Sequence, residues 1–251
     1  MATRRLSSRI QLEWRVDRDS FTPTINERPL TKTTAMKTIT NAVKASFLAS
    51  LLHKPDQGKT FKLISGSPCS NHFLHDGNYT RFADWRFIHR ARLSVVPLRG
   101  LRRFGNASQT CSRCQRHRET LAHVINHCLP NYAMITKQHN AILNKLYNAF
   151  DRKGLTVYVN QRIPGYPHNC QLDLVVANEH PKTTTIIDVT TPFENGEEAF
   201  NQARTEKIMK YADLAEHFKR QGYDTFTDAF IVGALGGYDQ ANDSTVQRLG
   251  V

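Results

Sequence analysis

The sequence has no long apolar run. No stretch approaches the roughly 18 apolar residues that a membrane-spanning helix needs, which excludes such a span. The basic N-terminal segment, residues 1–15, has no apolar core and does not read as a secretory leader. Acidic residues are scarce: 22 Asp and Glu stand against 34 Lys and Arg, for a net charge of +12. Cysteines number only five, Cys69, Cys111, Cys114, Cys128 and Cys170. An odd total without a leader argues against a disulfide framework and for metal binding. Internal repeats and low-complexity tracts are absent, and no Tyr-x-Asp-Asp or Ala-Asp-Asp run marks a polymerase site.

The composition, 39% hydrophobic and 22% charged over 251 residues, is that of one or two folded domains with a real core. The charge is unevenly placed. Residues 1–110 carry 19 basic and 7 acidic residues, whereas residues 111–251 carry 15 of each. A basic segment of this kind suits a polyanion, nucleic acid before membrane, although a solubilising arm has the same charge.

Three regions differ in character. Residues 1–105 read as a basic, mostly helical linker. Met36, Ile39, Val43, Phe47 and Leu51 recur at helical spacing over 34–52. Farther along, Arg81, Arg86, Arg90, Arg92, Arg99, Arg102 and Arg103 are interleaved with Phe82, Trp85 and Phe87, followed by Phe104. Arginines between aromatics can grip phosphates and stack on bases, or simply cover an aromatic core. Residues 106–131 hold the cysteine cluster. Residues 132–235 read as a mixed sheet with flanking helices: helix 132–150, strands 155–163, 171–177 and 184–190, one long helix 196–221, and a strand 226–234. Residues 236–251 show no core pattern and read as a loose tail. The fold class expected is α/β.

Within the cluster, Cys111-x2-Cys114-x8-His123-x4-Cys128 has the spacing of a closed structural zinc knuckle. The Cys-x2-Cys turn points two thiolates at one ion, and a His and a Cys follow from a short helix. His127 is an alternative to Cys128 as fourth ligand.

A second constellation spans two apolar runs, QLDLVVA (171–177) and TIIDVTT (185–191). If they form a hairpin about the turn between them, Asp173 lies opposite Asp188. Facing carboxylates repel and burial sharpens the repulsion, so such a pair calls for a cation between them. Two hard oxygen ligands suit Mg²⁺ or Mn²⁺. An offset register would instead leave each Asp at a strand end. On the next helix, residues 207, 210, 211 and 214 share a face at i, i+3, i+4 and i+7. A lysine from that face can orient water and stabilise a pentavalent phosphate, or can be an ordinary solvated lysine.

Asp173, Asp188-Val189-Thr190, Lys207 and Lys210-Tyr211 together resemble the restriction-like endonuclease of site-specific non-LTR retrotransposons, a variant of the PD-(D/E)xK fold. The order agrees as well. Arg92-Leu93-Ser94-Val95-Val96-Pro97-Leu98-Arg99 resembles the linker segment before the knuckle, and Lys137-Gln138-His139-Asn140 resembles the basic-His-Asn motif that opens the nuclease. The likeness covers roughly residues 60–225. Leu172 stands where the family has Pro, and Thr190 where the usual strand lysine would be. The resemblance implies that the lysine has moved to the helix, as Lys207 or Lys210, with Lys207 favoured.

The resemblance further implies a metal-dependent DNA endonuclease that nicks target DNA to prime reverse transcription of element RNA. It implies zinc in the knuckle and Mg²⁺ or Mn²⁺ on Asp173 and Asp188. Arg81 through Arg103, Lys137, His139 and Tyr211 would face nucleic acid. It also implies nuclear action, no membrane partner, and a reverse transcriptase core elsewhere on a polyprotein of which this would be the C-terminal third. Three rival expectations remain: an inactive nucleic-acid-binding copy, a stand-alone nuclease such as a junction resolvase, and a structural zinc protein.

Overall fold

The computed structural model describes residues 2–18, 20–75, 80–101, 108–153, 155–163, 165–166 and 172–251. Arg102, Arg103, Phe104 and Cys170 lie outside the described residues. The chain is mixed α/β and divides into two compact units, residues 1–58 and 59–251.

Most of the described residues in the stretch expected to be a mostly helical linker are helical, and the first unit adds a small sheet that was not expected. After α1 (Ala2–Arg9) come three antiparallel strands, β1 (Leu12–Asp17), β2 (Ser20–Ile25) and β3 (Arg28–Pro29), and then α2 (Ala35–Leu52). Leu12, Trp14 and Val16 alternate with polar residues and pair with Ile25, Pro23 and Phe21, which is a strand pattern of period two. Asn26 and Glu27 join β2 to β3 with φ of 50° and 64°, the double left-handed turn that suits tight hairpins. Ile10, Ile25 and Leu30 form the core against Ile39 and Val43 of α2. The expected apolar stripe of α2 is only half used: Met36 and Phe47 remain exposed, at 78% and 54%.

Residues 59–101 belong with the second unit rather than with a separate linker. The unit begins within α3 (Gln57–Ser65), followed by α4 (His72–His75) and α5 (Phe82–Arg92). The cysteine segment comes next. Then follow α6 (Tyr132–Asp151), β4 (Thr156–Val159), β5 (Leu174–Asn178), β6 (Thr183–Thr190), α7 (Glu197–Lys210), α8 (Ala212–Arg220), β7 (Asp224–Ile231) and α9 (Asn242–Arg248). The sheet order is β4-β5-β6-β7; the first two pairings are antiparallel and β6-β7 is parallel.

Helices cover both faces of this sheet. Leu143, Leu146 and Phe150 of α6 pack on Leu174, Val176, Ile187 and Val189. Tyr211, Leu214, Ala215 and Phe218 pack on Val175 and Ile186 from the other side. β6 is therefore buried on both faces; apart from Asp188, its one charge, every residue in it is β-branched.

Two further expectations are corrected. The helix expected over 196–221 divides at Tyr211, whose side chain is drawn into the core (1% exposed). The segment 236–251 is no loose tail. Asn242, fully buried, donates to the Ile231 carbonyl (2.7 Å) and accepts its N–H (2.9 Å), capping the outer edge of β7 as a strand would. Arg204 of α7 bonds Asp228, Asp239 and Asn242, and Thr245 donates to Asp228. This anchoring is polar, so hydropathy gives no sign of it. Cys69 is exposed.

Candidate functional site

The β5-β6 hairpin has the register expected from its turn: Leu174 pairs with Ile187 and Val175 with Ile186. Extended by one residue, that register sets Asp173 opposite Asp188. β5 begins only at Leu174, however, so Asp173 sits just beyond the regular ladder. Its Oδ2 accepts the backbone N–H of Val189 at 2.7 Å. His139 of α6 places Nε2 at 3.0 Å from the same oxygen and 3.1 Å from the Val189 carbonyl. Both neighbours are acceptors, so Nε2 carries the hydrogen. The bond to Asp173 holds the His139 pKa above its ordinary value, against the opposing effect of burial.

Asp188 is 2% exposed and meets side chains from the end of α7 and the junction with α8. The Tyr211 hydroxyl donates to its Oδ1 at 2.5 Å, and Lys207 Nζ lies 2.7 Å from Oδ2. Lys210 Nζ is 3.9 Å from Oδ1 and donates to the Tyr211 hydroxyl at 2.8 Å. The break between α7 and α8 makes this possible. Tyr211 ends one helix and begins the next, which turns its ring inward and leaves both lysines on the last turn of α7.

Asp173, Asp188, Lys207, Lys210 and His139 thus line one open cleft of about 610 Å³. Asn126 and His127 contribute to its wall. The sequence had offered His127 only as a zinc ligand; it is exposed and lines this cleft.

Cys111, Cys114, His123 and Cys128 converge, with their ligand atoms within 4.8 Å of one another. This set favours Cys128 over the exposed His127. The donors fit zinc: three sulfurs and one imidazole, with Cys111 and Cys128 fully buried. The backbone N–H of Arg116, then that of His117, help bring the Cys114 thiol down to about 6, favouring the thiolate that a metal takes. Glu119 braces the turn. It accepts the Ser112 N–H at 2.8 Å with one oxygen and the Arg99 N–H at 2.7 Å with the other.

The residues expected to face nucleic acid separate. Arg81, Arg86, Arg90, Arg99 and Lys137 are exposed, with Arg81 paired to Asp84. Arg92 is not available: it is 3% exposed and donates to the carbonyls of Leu235 and Ser70 and to Asn71. Tyr211 is likewise buried, engaged with Asp188. Both corrections have one cause. A long side chain with a polar tip can satisfy a buried acceptor, and composition cannot tell this from a surface role.

Compared with known protein families and with curated proteins, the chain matches none.

Proposed function

We propose that this chain carries a divalent-metal-dependent DNA endonuclease of the PD-(D/E)xK kind, similar to the restriction-like endonuclease of non-LTR retrotransposons. The observation that carries the reading is the ion pair between Lys207 and Asp188, 2.7 Å, in the cleft that also takes Asp173. In this reading Lys207 would do from the helix the work of the strand lysine, which is absent at Thr190.

The oxygen donors fit a hard cation: two carboxylates, Asp173 and Asp188, with the Val189 carbonyl beside them. Bound there, Mg²⁺ or Mn²⁺ would neutralise phosphate charge and acidify water. The side chains have separate tasks. Tyr211 fixes the orientation of Asp188, and His139 with the Val189 N–H fixes that of Asp173. Lys207, with Lys210 behind it, stabilises the charge that builds on the phosphoryl oxygens. Water adds to phosphorus in line, the P–O3′ bond breaks, and a 3′-hydroxyl is left that can prime synthesis. Exposed Arg86, Arg90, Arg99 and Lys137 would hold the backbone of target DNA or element RNA without reading sequence. A DNA substrate in turn implies nuclear action, and a reverse transcriptase core would be supplied by the same polyprotein.

A second reading rests on the same geometry. Tyr211 and Lys207 already engage both oxygens of Asp188, which is compatible with a charge-neutralised, inactive site in a nucleic-acid-binding protein. Incubation with supercoiled plasmid, with and without Mg²⁺, separates the two. Metal-dependent nicking that Asp188→Ala abolishes supports the endonuclease. Salt-sensitive binding without nicking, equal in both proteins, supports the inactive reading.

A further inference from the structure

Outside the cleft, α5 presents aromatic and basic side chains. Phe82 opens this helix and is 73% exposed. Its ring lies nearly parallel to that of Trp85, at 14° and 5.8 Å between centroids. Trp85 meets His89 edge-on at 4.3 Å, and His89 meets the buried Phe73 at 5.7 Å. The rings therefore form a graded stack, seated in the core at Phe73 and ending in water at Phe82. A core aromatic would have its outer face covered; Phe82 has one face backed by Trp85 and presents the rest of its ring to solvent.

Charge runs along the same helix. Arg86 and Arg90 follow Phe82 at i+4 and i+8, one turn apart, or about 6 Å along the axis. Both are exposed. Two like charges at i, i+4 repel, and a polyanion laid beside them removes that repulsion. Arg92, on the next turn, is spent on the core and takes no part.

We infer that this face of α5 binds an unpaired nucleic-acid strand, with one base stacked on Phe82 and the backbone phosphates on Arg86 and Arg90. The inference rests on the reading of the chain as a nucleic-acid-acting protein, and adds that the strand held at α5 is single. A base in a duplex has both faces covered by its neighbours and cannot take up Phe82, whereas an unpaired base exposes a π-face irrespective of its identity. The chemistry is common to displaced DNA and to RNA.

The test is binding of labelled 12-nucleotide dT, 12-nucleotide U and a 12-base-pair duplex to the full chain with its zinc and without added magnesium. Cleavage then plays no part in the readout. Phe82→Ala should weaken binding of the single strands about 5- to 100-fold and leave duplex binding within about twofold, whereas Phe82→Trp restores single-strand binding. Arg86→Ala with Arg90→Ala should lower the salt slope for single strands by about 1.4. Preference for dT or for U identifies the strand as DNA or RNA. Unchanged single-strand binding in Phe82→Ala, or an equal loss on single strands and duplex, overturns the inference. Because Phe82 is exposed, its replacement leaves the core intact, and an unchanged melting temperature checks this. Failure of the endonuclease reading shows itself separately, as a wild-type chain that never nicks plasmid.

Discussion

Asn126 donates its side-chain amide to the backbone carbonyl of Thr191 across 2.6 Å. Asn126 lies between the zinc-type ligands His123 and Cys128, and Thr191 directly follows β6, the strand that carries Asp188. Leu121 and Ile125 of the same turn pack with Phe193. The knuckle and the end of β6 are therefore one mechanical piece, and the knuckle forms a wall of the cleft rather than a separate module.

Removal of zinc should for that reason loosen the cleft wall while sparing the hairpin. Elemental analysis should give one zinc per chain. Chelation, or Cys128→Ser, should raise amide hydrogen exchange over 110–131 and 190–193 and leave β5 protected. Uniform protection after zinc loss would show that the knuckle is not what holds these residues.

The lysines divide in rank by geometry. Lys207 touches Asp188 at 2.7 Å, whereas Lys210 stands 3.9 Å away and reaches it chiefly through Tyr211. Lys207→Met should slow nicking about 10²- to 10³-fold, and Lys210→Met clearly less. Tyr211→Phe should cost about 1.5–3 kcal/mol of stability, because it removes a hydrogen bond to a buried charge. Single-turnover nicking rates and urea midpoints check the order.

These residues show how far the sequence carries. The turn between two apolar runs set the β5-β6 register, and with it the approach of Asp173 to Asp188. Ligand spacing was enough to bring Cys111, Cys114, His123 and Cys128 together. Both are local signals. What the sequence did not disclose depends on distant partners. Arg92 is buried because Leu235, 143 residues away, offers it a carbonyl. α9 docks because Asn242 pairs with the edge of β7. β1 is a different case, since it does carry a local signal: Leu12, Trp14 and Val16 alternate with Glu13, Arg15 and Asp17, although Trp14 and Val16 stay exposed.

The separation of Arg92 from its neighbours is itself testable. Arg92→Met strands the carbonyls of Ser70 and Leu235 in the interior, at about 1–3 kcal/mol for each acceptor left unsatisfied. The melting temperature should fall while the salt dependence of nucleic-acid binding in the remaining folded protein stays that of the wild type. Arg86→Ala should do the reverse. A lower salt slope in folded Arg92→Met would return this arginine to the binding surface.

Glu194 gives a pH dependence of opposite sign to that of an ordinary paired carboxylate. It is 1% exposed, and burial pushes its pKa from 4.5 up to about 7, although Oε1 accepts the N–H groups of Leu235 and Gly237 at 2.8 and 3.0 Å. Gly233 is required beside it, since a Cβ there would stand 2.2 Å from Oε1. The folded chain keeps this proton up to about pH 7, whereas the unfolded chain releases it near 4.5. Between those values the folded state binds more protons, so the contribution of Glu194 to stability falls as pH rises, by about 3 kcal/mol in all, and is level above 7. Glu194→Gln keeps an acceptor for both N–H groups and cannot ionise. Urea unfolding at pH 5, 6, 7 and 8 should give the variant a lasting advantage that grows across this window and is greatest at pH 8. Parallel stability curves for the two proteins would mean that Glu194 is ionised in the fold at every pH tested.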